Sequence, residues 1–308
     1  MRLILPVLLI PLACSKDDST DDTNSNTPDT DVFAEIIDVS VAPIGEDLEC
    51  WSIGSDMLTN TPDESCVKDA PVTGKVVDFE SDDPVSEATV ELFLQDQITE
   101  APDDVNISDA SGNVSFESAP TCTPISYRVS TDPALEETKV TIEAHEVYAF
   151  GDTIDAEFNS VSYATFNIIP SLLGVSVEPG KGIVAGGAYD CNGDPIEGVQ
   201  AIARSIDDPT GYFEDQVVKY FVNDFPNRTQ LYTSADGLWV IVNVPPSDAI
   251  VELWVSDGAG GHAMIGSTEL LVESDSINIS SGYYGYTEQV YPDSCLSSCE
   301  EPEDTSAE

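Results

Sequence analysis

The sequence predicts an all-β chain: two tandem β-sandwiches that follow a disordered N-terminal tether. Three observations predict it. Apolar residues in the body recur with a period of two rather than 3.6. Short β-branched segments are separated by Gly, Pro, Asn and Asp clusters at spacings of roughly 8–12 residues, the sandwich pattern. One block of sequence also occurs twice, with Pro84 and Pro195 at equivalent places, a domain-sized offset. The 308 residues are 41% hydrophobic, with three Trp, eleven Tyr and ten Phe, enough to build cores rather than remain disordered.

Residues 1–13 come first: Met1-Arg2, then the apolar run Leu3 to Ala13. A bilayer span needs about 20 apolar residues, so the run reads as a secretory signal. It ends in Pro11-Leu12-Ala13-Cys14-Ser15, which resembles a bacterial lipobox, with Pro11 the one departure from the pattern. The resemblance implies cleavage before Cys14, which becomes the lipid-bearing first residue and the chain's partner contact with the membrane. Ser15 resembles the version not retained at the inner membrane. Cys14-Ser15-Lys16-Asp17-Asp18 resembles the export signal that sends some lipoproteins to the outer face of the outer membrane, through Lys16, Asp17 and Asp18. The implied localisation is the outer membrane, lipid-anchored and exposed at the cell surface.

Residues 14–31 contain six Asp, one Lys and no apolar side chain after Cys14, the composition of a self-repelling tether. The chain carries 58 acids against 10 bases, a formal charge of −48. Residues 32–299 hold 47 acids and 8 bases, so the body itself stands at −39. No basic stripe exists to neutralise phosphates, which excludes nucleic acid as a partner. Self-repulsion in such a body weakens as salt rises. The unfolding midpoint is therefore expected to be higher in molar salt than in dilute buffer, and equal midpoints in a thermal scan would contradict this.

Within the body, Val85, Ala88, Val90 and Leu92 alternate with Glu87, Thr89 and Glu91. The first copy of the repeat runs Val72 to Asp78, Pro84 to Leu92 and Asp109 to Phe116. The second runs Gly182 to Asp190, Gly193 to Ala201 and Ser234 to Pro245. In each, a strand ends in Asp, a Gly/Pro turn leads to an alternating strand, and a turn in which Gly follows an Asp (Asp109 to Gly112, Asp236 to Gly237) supplies the positive φ of a hairpin. At these residues the sequence resembles the carboxypeptidase regulatory-like module, an Ig-like, transthyretin-like β-sandwich related to the Cna B-type repeats of Gram-positive surface proteins. That resemblance implies a core role for Trp239, and Trp254 is expected to pack the same way. The expected divisions are 32–170, an N-terminal extension plus the first sandwich; 171–294, the second sandwich; and 295–308, a Cys pair and acidic tail. Phe158 to Val177 form twenty residues without charge, but their polar residues argue against a membrane span, and they read as strands near the domain junction.

Six cysteines remain beside Cys14: Cys50, Cys66, Cys122, Cys191, Cys295 and Cys299. An even count in an exported chain predicts disulfides. The expected pairs are Cys50–Cys66 and either Cys295–Cys299 or Cys191 with one of that C-terminal pair.

Catalytic signals are sparse. The carboxypeptidase zinc pattern His-x-x-Glu is missing at both His145 and His262, and no Gly-x-Ser-x-Gly elbow is present. With 58 acids, paired carboxylates carry no information about glycoside hydrolysis. Asp190, Asn192 and Asp194 alternate in a Gly-containing turn, a candidate calcium loop, although the bland reading is a plain turn. The predicted function is a lipid-anchored, non-catalytic envelope protein with no cofactor other than this candidate calcium. It would act as a structural or adhesion-type binding module toward a protein or glycan. An envelope hydrolase and a calcium-stiffened adhesin are the alternatives.

Overall fold

A computed structural model of the chain describes residues 62–96, 98, 101–135, 137–190, 193–208, 211–256, 262–283 and 291–299. Strands dominate. The first sandwich opposes two sheets. One contains β1 (Asp69–Asp78), β4 (Asn113–Pro120), β6 (Thr138–Lys139) and β8 (Ile154–Ser162), in the order β4-β1-β8-β6. The other contains β2 (Thr89–Phe93), β3 (Asp104–Ile107), β5 (Pro124–Ser130) and β7 (Thr141–Val147), in the order β3-β2-β5-β7. Alternation puts Val72 and Val76, Val90 and Leu92, Val114 and Phe116, and Tyr127 and Val129 into one core around Phe158.

The second sandwich opposes β9 (Gly182–Tyr189), β11 (Val217–Val222), β12 (Phe225–Asn227) and β13 (Leu238–Val244) to β10 (Gln200–Ser205), β14 (Ser247–Ser256) and β15 (His262–Val272). Trp239 fills its core, as expected. Trp254 does not. Val251, Leu253 and Val255 take the inward positions of β14, which turns Glu252 and Trp254 to the opposite face, where the Trp254 indole N–H donates to Glu252 at 3.0 Å.

The internal repeat holds down to individual hydrogen bonds. In the first sandwich Val76 N–H donates to the Gly112 carbonyl at 2.8 Å; in the second Ala188 N–H donates to Gly237 at 3.0 Å. The Ser108 hydroxyl accepts from Ala88 N–H and donates to the Val85 carbonyl. The Thr233 hydroxyl does the same between Val199 and Ile196. A Cβ on Gly112 would lie 2.7 Å from the Val76 carbonyl oxygen, and a Cβ on Gly237 2.7 Å from that of Ala188. Both glycines also have positive φ, +80° and +69°. Gly193, at φ +83°, has open space around it. Gly237→Ala is therefore expected to cost about 2–4 kcal/mol and Gly193→Ala only about 1 kcal/mol, because only the former adds a backbone clash to the left-handed strain. Urea midpoints of the two variants check this.

Two features depart from expectation. Phe158–Ser162 do complete β8, but the uncharged run then forms a helix, α1 (Tyr163–Leu173), not further strands, and residues 170/171 fall inside it. The Ser162 hydroxyl caps its first turn by accepting from Thr165 N–H at 3.1 Å, and Gly174 ends it at φ 73°. No helix among the described residues is long and apolar enough to cross a membrane.

The sandwiches are also not separate beads. The three-residue strand β16 (Ile277–Ile279) pairs in parallel with β7 of the first and β9 of the second, so one sheet runs continuously from β12 to β3. The short strand β17 (Gly282–Tyr283) continues alongside β9. The two units therefore stand side by side, sharing a wide sheet, rather than end to end.

Candidate binding surface

The pole where β5 begins and β7 ends is covalently closed. Cys66 bonds to Cys299 and Cys122 to Cys295. This corrects the expected pairs Cys50–Cys66 and Cys295–Cys299, and equally a bond from Cys191 to the C-terminal pair. The cause is the path of the C-terminal stretch, which leaves the seam and returns to the first sandwich. There Asp63 N–H donates to the Cys295 carbonyl at 2.8 Å, and Cys299 N–H to the Ser65 hydroxyl at 3.0 Å. Cys295 and Cys299 thus face two different cysteines of the first unit, and the cluster is buried under Phe150 and Tyr291. Cys50 and Cys191 lie outside the described residues, as do Cys14, Lys16, Asp17 and Asp18.

The seam carries further contacts. Arg128 on β5 reaches Glu91 at 2.5 Å within its own sheet and Glu273, just beyond β15, at 2.5 Å, with its guanidinium over the Phe93 ring. Leu271 packs against Phe93 and Ile142. His145, at φ 62° on β7, donates from Nε2 to the Glu269 carbonyl. On the other side of the seam, Phe166, Ile169 and Leu173 of α1 cover Ile183, Val240 and Val242 of the second unit.

Of the candidate calcium residues, Asn192 lies outside the described residues. Asp190 is buried, and its carboxylate accepts from Asp194 N–H at 2.9 Å while its carbonyl accepts from Gly193 N–H. Asp78 occupies the equivalent strand end in the first copy, and its carboxylate accepts from Glu80, Ser81 and Ser162 N–H. The shared pattern is an acid organising the turn that follows its strand. Asp190→Ala is expected to lower stability by about 1–3 kcal/mol with or without a chelator, through one lost buried acceptor. A loss that appears only in the presence of calcium would instead mark a cation ligand.

A second group of titratable side chains lies inside the first sandwich. Tyr127 donates to Glu143, Asn159 Nδ2 donates to the same oxygen at 3.2 Å, and Asn159 N–H donates to the Tyr127 hydroxyl at 3.1 Å. Burial raises the Glu143 carboxyl, with Glu157 adding to it, against the lowering by its two donors. Glu146 is pushed up to about 7, by burial first and then by Glu143. The Tyr148 hydroxyl, itself raised by burial and by both acids, has no partner among the described residues. Sequence reasoning missed this group because one acid pair among 58 acids gives no signal.

Outward-facing features are fewer. An open polar groove of about 600 Å³ lies beside β3, lined by Thr73, Lys75, Asn106, Ile107, Asp109 and Asp155. The edge of β10 is closed by side chains: Gln216 both accepts from Ala203 N–H and donates to its carbonyl, and the Tyr220 hydroxyl accepts from Ala201 N–H. On the outer face of the same sheet, Glu252 takes Arg204 at 2.6 Å and Tyr212 at 3.0 Å. The edge of β3 ends the wide sheet and leaves Val105 and Ile107 exposed.

No protein-family model matches the chain, and no curated protein matches it in sequence. Solved structures align to it at low similarity. The Bacillus anthracis TIE protein is 11% identical, with 70% of this chain and 34% of that chain covered and a TM-score of 0.22. The shaft pilin SpaA of Lactobacillus rhamnosus GG is 8% identical over 73% of this chain and 100% of that chain, with a TM-score of 0.23. GBS52, the minor pilin of Streptococcus agalactiae, is 12% identical over 72% and 99%, with a TM-score of 0.22. The chain spans about a third of the length of the first of these. At such scores the alignments add nothing to the fold class that the strands themselves establish.

Proposed function

We propose that the chain is a non-catalytic display module of the cell envelope, held by lipid at Cys14 on the outer face of the outer membrane and offering its sandwiches to a protein or glycan. The observation that carries the reading is the covalently closed pole. The chain enters the described body at Pro62, next to Cys66 and Cys299, so pull on the N-terminal stretch is transmitted into the first sandwich through covalent bonds. The continuous sheet, with Arg128 and β16 across the seam, then passes load to the second unit without a hinge. A body organised in this way suits presentation from a membrane, and its acidity keeps it off anionic lipid.

The anchoring is tested with radiolabelled palmitate and external protease on intact cells. Label retained in Cys14→Ser, or a chain fully protected from protease, would overturn the reading.

A further inference from the structure

The outer face of α1 is unusual for a surface helix. Ala164, Ile168 and Leu172, spaced by four, point to solvent, with Ile168 51% and Leu172 49% exposed, and no residue of the helix is charged. Its inner stripe is already used in covering β9 and β13. Asn167 and Ser171 lie on the same side but bond back to the helix's own carbonyls, so the outward surface is uncharged and largely apolar, as in a helix set between two layers. Beside it, at the tip of the β11–β12 hairpin, Phe225 is 75% exposed.

The charges around this face are equally out of place. The body has eight cations, and Lys68, Arg128 and Arg204 are ion-paired. Three of the others gather here without a carboxylate partner among the described residues. Lys139 lies 4.5 Å from the Tyr163 and Phe166 ring centroids. Arg228 donates to the Leu172 and Ser171 carbonyls at 2.8 and 2.9 Å, and Lys219 donates to the Arg228 carbonyl at 3.2 Å. Asp224 and Asp236 sit at the hairpin tip, linked by a backbone donor. In a body with 47 acids, cations that flank both ends of α1 and bond, among the described residues, to carbonyls and rings mark a surface that an acidic partner completes.

The far end of the wide sheet has the opposite character. There Val105 and Ile107 are 47% and 65% exposed, Asp109 and Asp155 line the groove beside them, Asp103 and Asp104 precede them in the chain, and Lys75 is the one cation among the described lining residues. We propose that the α1–Phe225 face binds the β3 end of a second copy of this chain, so that copies add head to tail. Self-pairing of this face would bring its three cations toward one another and its two acids, Asp224 and Asp236, toward one another in a two-fold contact about its centre, whereas the acidic β3 end complements the cations directly. The contact is therefore heterologous and open-ended. At about 0.15 M salt the screening length is about 8 Å, so contact pairing survives while the repulsion between two −39 bodies is damped.

Sedimentation of the full chain carrying Cys14→Ser tests this between micromolar and submillimolar concentration. Average mass is expected to keep rising past two copies. Ile107→Lys alone and Phe225→Asp alone should each return a monomer, and both positions are exposed enough to leave the unfolding midpoint unchanged. An equimolar mixture of the two variants should stop at a pair, since each retains one intact end. A wild-type chain that stays monomeric throughout assigns the face to some other partner and overturns the proposal. Growth that halts at a wild-type dimer, or that persists in either variant, overturns it as well.

Discussion

Cys122→Ala should lower the unfolding free energy by about 4 kcal/mol, and removing both observed bonds should cost roughly twice that. The bonds span 173 and 233 residues, and long loops release the most entropy on opening. They are nested. While Cys66–Cys299 holds, the loop that Cys122–Cys295 closes is only the stretch from Cys66 to Cys122 plus the short C-terminal piece, so the first removal is the cheaper one. The loss should also be global. The oxidised chain is expected to melt in one transition because β16, Arg128 and α1 tie the sandwiches together. Reduction should free the C-terminal stretch first, since the two disulfides are its covalent ties to the first unit and the contacts left are local, such as Phe150 N–H to the Ser294 hydroxyl. Loss of hydrogen-exchange protection at the Asp63 and Cys299 amides, which bond to the Cys295 carbonyl and the Ser65 hydroxyl, only after reduction would report that release. A reduced protein with an unchanged urea midpoint would contradict the assignment of these bonds as the main staple.

The strands, the repeat and its turn chemistry were legible in the sequence because each is local. Pro84 and Pro195, Gly112 and Gly237, and Asp78 and Asp190 announce themselves by spacing, and all six sit where the repeat puts them. The parity of β14 was misread: Trp254 was expected in the core by likeness to Trp239, although Val251, Leu253 and Val255 alternate with Glu252 and Trp254 and so put the indole on the other face. The α1 boundaries had signals in Ser162 and Gly174, but Pro170 and the surrounding β-rich pattern outweighed them. The seam had none. Three residues, Ile277–Ile279, carry no information about which two strands will accept them, and the pairing of Cys295 and Cys299 depends entirely on that choice. The unpartnered face of α1 was hidden for a related reason, since an uncharged run reads alike whether one side or both are covered.

Acidification from pH 7 toward pH 5 should stabilise the first sandwich, the reverse of the usual behaviour of a paired carboxylate. Glu146 ionises at about 7 in the folded chain against an ordinary value of 4.5, and Glu143 is shifted in the same direction. Below the ordinary value both states are protonated and burial carries no charge penalty. Between 4.5 and 7 the folded chain keeps a proton that the unfolded chain releases, so stability falls as pH rises through that window and levels off above it. Partial exposure of the residue trims the effect, which comes to about 2–3 kcal/mol for Glu146. The groups acting on it are Glu143 on β7 and the hydroxyls of Tyr127 and Tyr148, with Glu157 on β8 acting in turn on Glu143, none of them cationic. Loss of net charge on acidification pushes the same way for the whole body, so the wild-type profile alone does not isolate the pair. Glu146→Gln does: it removes the buried charge and leaves the long-range field nearly intact. The variant should be more stable than wild type at pH 8 by about 2–3 kcal/mol, equal to it near pH 4.5, and flatter between them. A Glu146→Gln curve parallel to wild type across that range would show that the carboxylate is solvated in the folded chain and that the slope belongs to the −39 body as a whole.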